Sequence, residues 1–310
     1  MRYLFVFKTA EEPQLLPKKL CEEMTLKKIG IMMVAGLLIG SLAQAHEEKK
    51  DNSWWWNNDW WFDGKLEVPA NHKLKEEHFT IENGDVEIPV MVVRPADNKK
   101  YPAILFQHGR RGLDDLIKQH ARRLAARGFV VLAADVFAGR FIEKFPIEHD
   151  YAVEDDVNAA LDTLLKRKDI SSRKACTYSH TRGGYMTLKV AVTQKRQDDA
   201  IACYVSYYPH MQDPNAAEAM QVYRYAIEAD SLKIPTLIFI GDQEQYQRRR
   251  GIEMAVDSLQ KKGRDARVVV YPGVGRGFDF RPETVRTFAD DLASRDAIQR
   301  ATRFMQQHLK

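Results

Sequence analysis

The 310-residue sequence predicts an α/β fold, with one mostly parallel central sheet, helices on both faces and an opening β-hairpin. Three observations carry the prediction. Segments 78–82 and 86–93 alternate in character and flank Asn83-Gly84, a strong hairpin-turn signal. From residue 103 onward, short apolar runs take turns with segments whose apolar residues recur at helical spacing. Finally, Ser179-His180-Thr181-Arg182-Gly183-Gly184 joins a strand-like run to a helix-like one, a tight turn with a hydroxyl residue at its apex.

The elements follow in order. Residues 103–106 read as a strand, 116–126 as an amphipathic helix and 129–133 as a buried strand. Residues 153–166 form a helix and 175–178 the strand before the tight turn, with 185–193 the helix after it. A strand at 201–207 precedes a helix around 216–228. Strand 236–240, helix 251–262, strand 267–270 and a closing helix 291–309 complete the domain, which spans 74–310.

Composition narrows the function classes. A formal charge of +4 with no basic run or stripe excludes a nucleic-acid footprint. Near the N-terminus, Lys27-Lys28, an apolar core at 29–42 and Ala43-Gln44-Ala45 fit a cleaved signal peptide at 24–45, cut after Ala45. That pattern predicts a periplasmic or secreted protein, and Met24 is the better start, so 1–23 reads as an extension. Residues 46–73 form an arm carrying Trp54, Trp55, Trp56, Trp60 and Trp61. The preferred reading folds these indoles over an apolar groove; the alternative is contact with sugar rings or envelope lipid. Once Cys21 is removed with the leader, Cys176 and Cys203 remain. Export permits a disulfide, but both lie in apolar strand-like runs, where buried free thiols are the commoner outcome. No clustered ligand spacing supports a metal, and no cofactor is expected.

In a parallel sheet covered on both faces, ligands bind beyond the carboxyl ends of the strands. The segments there are Gln107-His108-Gly109-Arg110-Arg111-Gly112, residues 135–141, the tight turn, Pro209-His210, Gly241-Asp242-Gln243-Glu244 and Gly273-Val274-Gly275-Arg276-Gly277-Phe278. A strand, a turn and a helix with a hydroxyl at the apex make a nucleophile elbow. The usual G-x-S-x-G here reads S-x-T-x-G.

Over about residues 75–310 the chain resembles the dienelactone hydrolase family of α/β-hydrolases. The marks are Gln107-His108-Gly109, Asp135 to Arg140, Arg182-Gly183-Gly184, Pro235 with Gly241, and Tyr271-Pro272-Gly273 leading to Gly277-Phe278-Asp279. The resemblance implies an α/β-hydrolase fold acting on esters or lactones through a nucleophile, an acid and a base. Carried over by position, these fall on Thr181, Glu244 and Arg276, with Asp242 as another source of the carboxylate. All three depart from the Ser or Cys, Asp and His of the family. Threonine keeps the hydroxyl and glutamate the carboxylate. Arginine cannot accept a proton near neutral pH.

The oxyanion hole is built from backbone N–H groups, expected at Arg182 and in Gly109-Arg110. Arg110, Arg140, Arg182 and Arg276 are candidates for binding an anion; paired loop charge is the plainer alternative. His108, His180 and His210 read first as structural histidines. Two functions remain open: a slow or unusual exported ester/lactone hydrolase, or a non-catalytic relative holding a small anionic ligand.

Overall fold

The computed structural model describes residues 72–310. The expected extension (1–23), leader (24–45) and Trp-rich arm up to residue 71 lie outside the described residues.

Eight strands form one sheet: β1 (Leu74–Asn83), β2 (Val86–Pro95), β3 (Tyr101–Gln107), β4 (Val130–Ala134), β5 (Ile170–His180), β6 (Ile201–Tyr207), β7 (Thr236–Gly241) and β8 (Ala266–Tyr271). Their order is β1-β2-β4-β3-β5-β6-β7-β8. The β1–β2 and β2–β4 pairs are antiparallel; the rest are parallel. The hairpin forms where expected, except that Asn83 pairs with Val86 and the two-residue loop is Gly84-Asp85, with Gly84 at φ 60°.

The central strands are buried toward their carboxyl ends, and β4 at every residue, because helices cover both faces. Their Val, Ile, Leu and Phe side chains leave water almost completely; each such burial contributes about 1.5–3 kcal/mol. The helices are α1 (Asp115–Ala126), α2 (Val136–Gly139), α3 (Val153–Leu165), α4 (Arg182–Val192), α5 (Arg196–Asp199), α6 (Glu218–Tyr223), α7 (Tyr246–Lys261) and α8 (Phe288–His308). Asp114 caps α1 by accepting the Ile117 N–H. A capping box of Thr287 and Asp290 starts α8 three residues before the expected 291. The helix expected around 216–228 is correct only at its centre. It shrinks to the six residues of α6 and a 3₁₀ turn, Ile227–Ser231, because few of its apolar residues face the core.

The cysteines correct a second expectation. Cys176 and Cys203 are not free thiols: parallel register sets them side by side on β5 and β6, Cα atoms 4.7 Å apart, and they are disulfide-bonded. No helix among the described residues is long and apolar enough to cross a membrane.

Candidate active site

The sheet delivers Thr181 to the end of β5, its central strand. Thr181 has φ 48° and ψ −119°, a conformation a β-branched residue enters only at a cost. The turn is tight because neighbouring loops press on it. A Cβ at Gly109 would lie 1.7 Å from Thr181 Oγ1, and one at Gly183 would lie 2.4 Å from the His108 carbonyl oxygen. Both glycines are therefore required by close approach, and Gly109 abuts the hydroxyl. The His210 N–H donates to the Thr181 carbonyl at 2.8 Å and fixes the next loop against the apex. Since α4 begins at Arg182, its first N–H groups have no partner within the helix and point toward its N-terminal end at Thr181, an arrangement that can stabilise an oxyanion.

The expected acid and base positions meet. Arg276 donates through Nε and a terminal nitrogen to Glu244 Oε1, at 3.0 and 2.6 Å, and also donates to Gln245 Oε1 at 2.6 Å. The Glu244 side chain is wholly buried. Asp242 is not part of this arrangement: it accepts the Gly273 N–H at 2.9 Å in the exposed turn after β8.

The arginines divide into two groups. Arg110 and Arg182 both grip the segment between α2 and α3. Arg110 donates to the carbonyls of Phe145 and Pro146 at 2.7 and 2.8 Å. Arg182 donates to those of Ile147 and Glu148 at 2.8 and 2.7 Å. Burial, then Arg110, lowers the Arg182 guanidinium to about 10. Arg140 does not reach the cleft, because Asp156 of α3, fully buried, holds its guanidinium at 3.0 Å. Arg248, the first of three consecutive arginines, is buried. It donates to the Tyr208 carbonyl at 3.2 Å, contacts His210 Nε2 and lies 3.7 Å from Glu244. Its position on the inward face of α7 was the signal: Arg248, Ile252, Ala255 and Leu259 follow helical spacing.

His210 stands among these charges. Burial, then Arg248, Arg182, Arg276 and Arg110, hold its imidazole well below its ordinary range, so it is neutral. The other two histidines are buried and face oxygen partners. His108 is buried, donates through Nδ1 to the Gly109 carbonyl at 2.8 Å and lies 3.6 Å from Asp135. His180 points beneath the elbow, with Nε2 2.9 Å from Asp279 Oδ2.

Sequence reasoning missed this lower network. His120, His180 and Asp279 come from α1, β5 and the loop after β8, and Tyr208 donates to Asp279. Their ligand-type atoms lie within 4.8 Å of one another, close enough to converge on a cation. Arg123 donates to the Asp279 carbonyl at 3.0 Å, and its positive charge opposes a second cation there. No spacing could have revealed the network, because residues 120, 180 and 279 are joined only by topology.

Comparison with known proteins identifies the family. The model of the dienelactone hydrolase family matches residues 88–309, and that of platelet-activating factor acetylhydrolase, isoform II, matches residues 31–136. A candidate carboxymethylenebutenolidase of Yersinia pestis is 24% identical over 230 residues, covering 68% of this chain and 82% of its own length. Protein usf of Aquifex pyrophilus is 22% identical over 214 residues, covering 67% and 89%. The structure of P91, a dienelactone hydrolase-like promiscuous phosphotriesterase from metagenomic libraries, aligns with a TM-score of 0.60 at 16% identity, over 76% of this chain and 99% of that one. The structural likeness speaks for the fold.

Proposed function

Because the chain belongs to the dienelactone hydrolase family of ester and lactone hydrolases, we propose that it is an exported member that holds an ester or lactone carbonyl at Thr181 and turns it over slowly. The observation that carries this reading is the Thr181 backbone, φ 48° and ψ −119°, with Gly109 against its hydroxyl. A strained apex of this kind persists only where its surroundings enforce it. The carbonyl oxygen lies toward the N–H groups of Arg182 and the Gly109-Arg110 segment, which need no side chain and so survive changes in the triad. The Thr181 hydroxyl attacks the carbonyl carbon. The tetrahedral intermediate expels the alcohol (in a lactone, the ring hydroxyl), which takes a proton from water, and a second water hydrolyses the acyl-threonine ester to free the acid. The proton of the attacking hydroxyl finds no acceptor on Arg276, since guanidinium has none to offer. Water must take the proton, and the rate gain of a placed general base, about 10²–10⁴-fold, is forgone. The buried disulfide supports export, because such bonds persist in oxidising compartments.

One observation favours the second reading, a non-catalytic binder of small anions. The ion pair of Arg276 with Glu244 leaves neither group available for proton transfer. Turnover of short aryl esters and lactones by the purified protein, compared with Thr181→Ala, separates the two. Activity lost with the threonine supports the hydrolase; no turnover, or turnover indifferent to the change, supports the binder.

A further inference from the structure

Two cavities lie side by side where the chain leaves β6. The smaller, about 200 Å³, is polar and is walled by His210, Arg248, Gln245 and Gln247, with the exposed Glu218 also in its lining. It touches the candidate site directly, since Gln245 accepts a hydrogen bond from Arg276 and His210 is bonded to the Thr181 carbonyl. The larger, about 540 Å³, is walled by Tyr185, Met220, Tyr223, Tyr225, Ile227 and Met254. That volume falls within the range of about 300–1,000 Å³ typical of ligand pockets. Gln212 and Gln221 line both cavities. Gln212 donates to the carbonyls of Gln221 and Gln247, at 3.1 and 2.7 Å, which holds its amide at the junction of the two cavities.

One cation, Arg224, lines the larger chamber. Its acids are already engaged: Glu228 with Lys189 at 2.7 Å, Asp230 with Lys262 at 2.8 Å, and Asp213 with the Tyr151 hydroxyl at 2.6 Å. Apart from these acids, Arg224 and the two glutamines, the rest of the lining is aromatic and aliphatic, and its thioether side chains reshape around a flexible chain. Met220, Tyr223 and Ile227 are 41%, 67% and 78% exposed, so folding leaves a patch of apolar surface in water at the chamber's rim.

We propose that the two cavities form one channel for an amphipathic ligand, with its carboxyl or ester head in the polar chamber beside His210 and Arg248 and a medium-length acyl chain in the apolar one. The inference rests on the reading of the elbow as the ester-binding end and gives that reading a substrate class: esters of medium-chain acids.

Calorimetric titration of the purified protein with butyrate and with decanoate tests it without requiring turnover. Each methylene that enters the chamber tightens binding about fourfold, so decanoate binds at least about a hundredfold tighter than butyrate. Met254→Trp and Ala216→Trp fill the chamber and remove that advantage, while butyrate affinity, unaffected by the filling, reports that each variant is folded. The proposal is overturned if decanoate binds no tighter than butyrate, if its advantage survives both variants, or if both variants lose butyrate as well. Should the wild type hydrolyse nothing yet keep its chain-length preference, the catalytic reading fails and the channel stands.

Discussion

Arg276 and Glu244 form an ion pair through a single carboxylate oxygen, Oε1, at 2.6 and 3.0 Å. The same oxygen accepts the Gln245 N–H at 3.0 Å and lies 3.7 Å from Arg248. Two guanidinium groups thus converge on one fully buried carboxylate. An arginine here does not merely leave out a base. It ties down the acid that would orient one.

The first prediction concerns repair. Thr181→Ser with Arg276→His restores a primary hydroxyl and a proton acceptor at the positions that the family uses. A placed general base is worth about 10²-fold or more. The double variant should raise kcat/KM on aryl acetates by about that factor, with an inflection near the ordinary histidine range that the wild type lacks. A flat pH profile without a gain would show that the cleft has lost more than its triad residues.

The second prediction concerns strain at the elbow. Holding a β-branched residue at φ 48° costs on the order of 1–3 kcal/mol, and glycine adopts the same backbone freely. Thr181→Gly should therefore raise unfolding free energy by about 1 kcal/mol, once the lost methyl contacts are set against the relief, while removing the hydroxyl. Urea denaturation of the two proteins checks the sign. A less stable glycine variant would mean that the apex is held by packing rather than endured.

Most of the fold was legible because it depends on local periodicity. The apolar run of β4 and the helical spacing of α3 each declare their element without help from distant residues. The elbow was legible for the same reason, its six residues being contiguous. The inward turn of Arg248 was hidden because three adjacent arginines suggest solvent, whereas one of them lies on the buried face of α7. The straps from Arg110 and Arg182 were hidden too, since their partners are backbone carbonyls some 35 residues away, which carry no sequence signature. Arg140 was misplaced because post-strand position does not say which way a side chain turns, and Asp156 turns it away.

The third prediction follows from the parallel register of β5 and β6. Cys176 and Cys203 are opposite one another and enclose a separation of 27 residues. A loop of that size is constrained by about 3.5 kcal/mol relative to the open chain. Cys176→Ala with Cys203→Ala should lower stability by roughly that amount. Protein recovered from an oxidising compartment should show no reactive thiol at either position under denaturing conditions. Free thiols there would argue that the chain matures in a reducing environment.

The last prediction is a pH dependence set beneath the elbow. Burial alone would raise the Asp279 carboxyl, but the neighbouring His120 and His180, with hydrogen bonds from His180 and Tyr208, pull it from 3.8 down to about 2. A carboxyl lowered by folding stabilises the fold above its unfolded value and loses that contribution as pH falls through the folded one. Asp279 therefore stabilises the fold at neutral pH, and that contribution is lost between about pH 4 and pH 2. His120 works in a higher window: burial, then His180, keeps it neutral in the fold, far below its ordinary 6.5. The unfolded chain alone takes up that proton, so stability begins to fall as pH drops below about 6.5. Asp279→Asn should be less stable than the wild type at pH 7, and the gap should narrow between pH 4 and pH 2, as the wild type loses what the variant never had. Denaturation midpoints at pH 7, 5, 3 and 2 measure the gap. A constant difference across that range would mean that Asp279 acts through shape alone and that its charge does not anchor the elbow to the loop after β8.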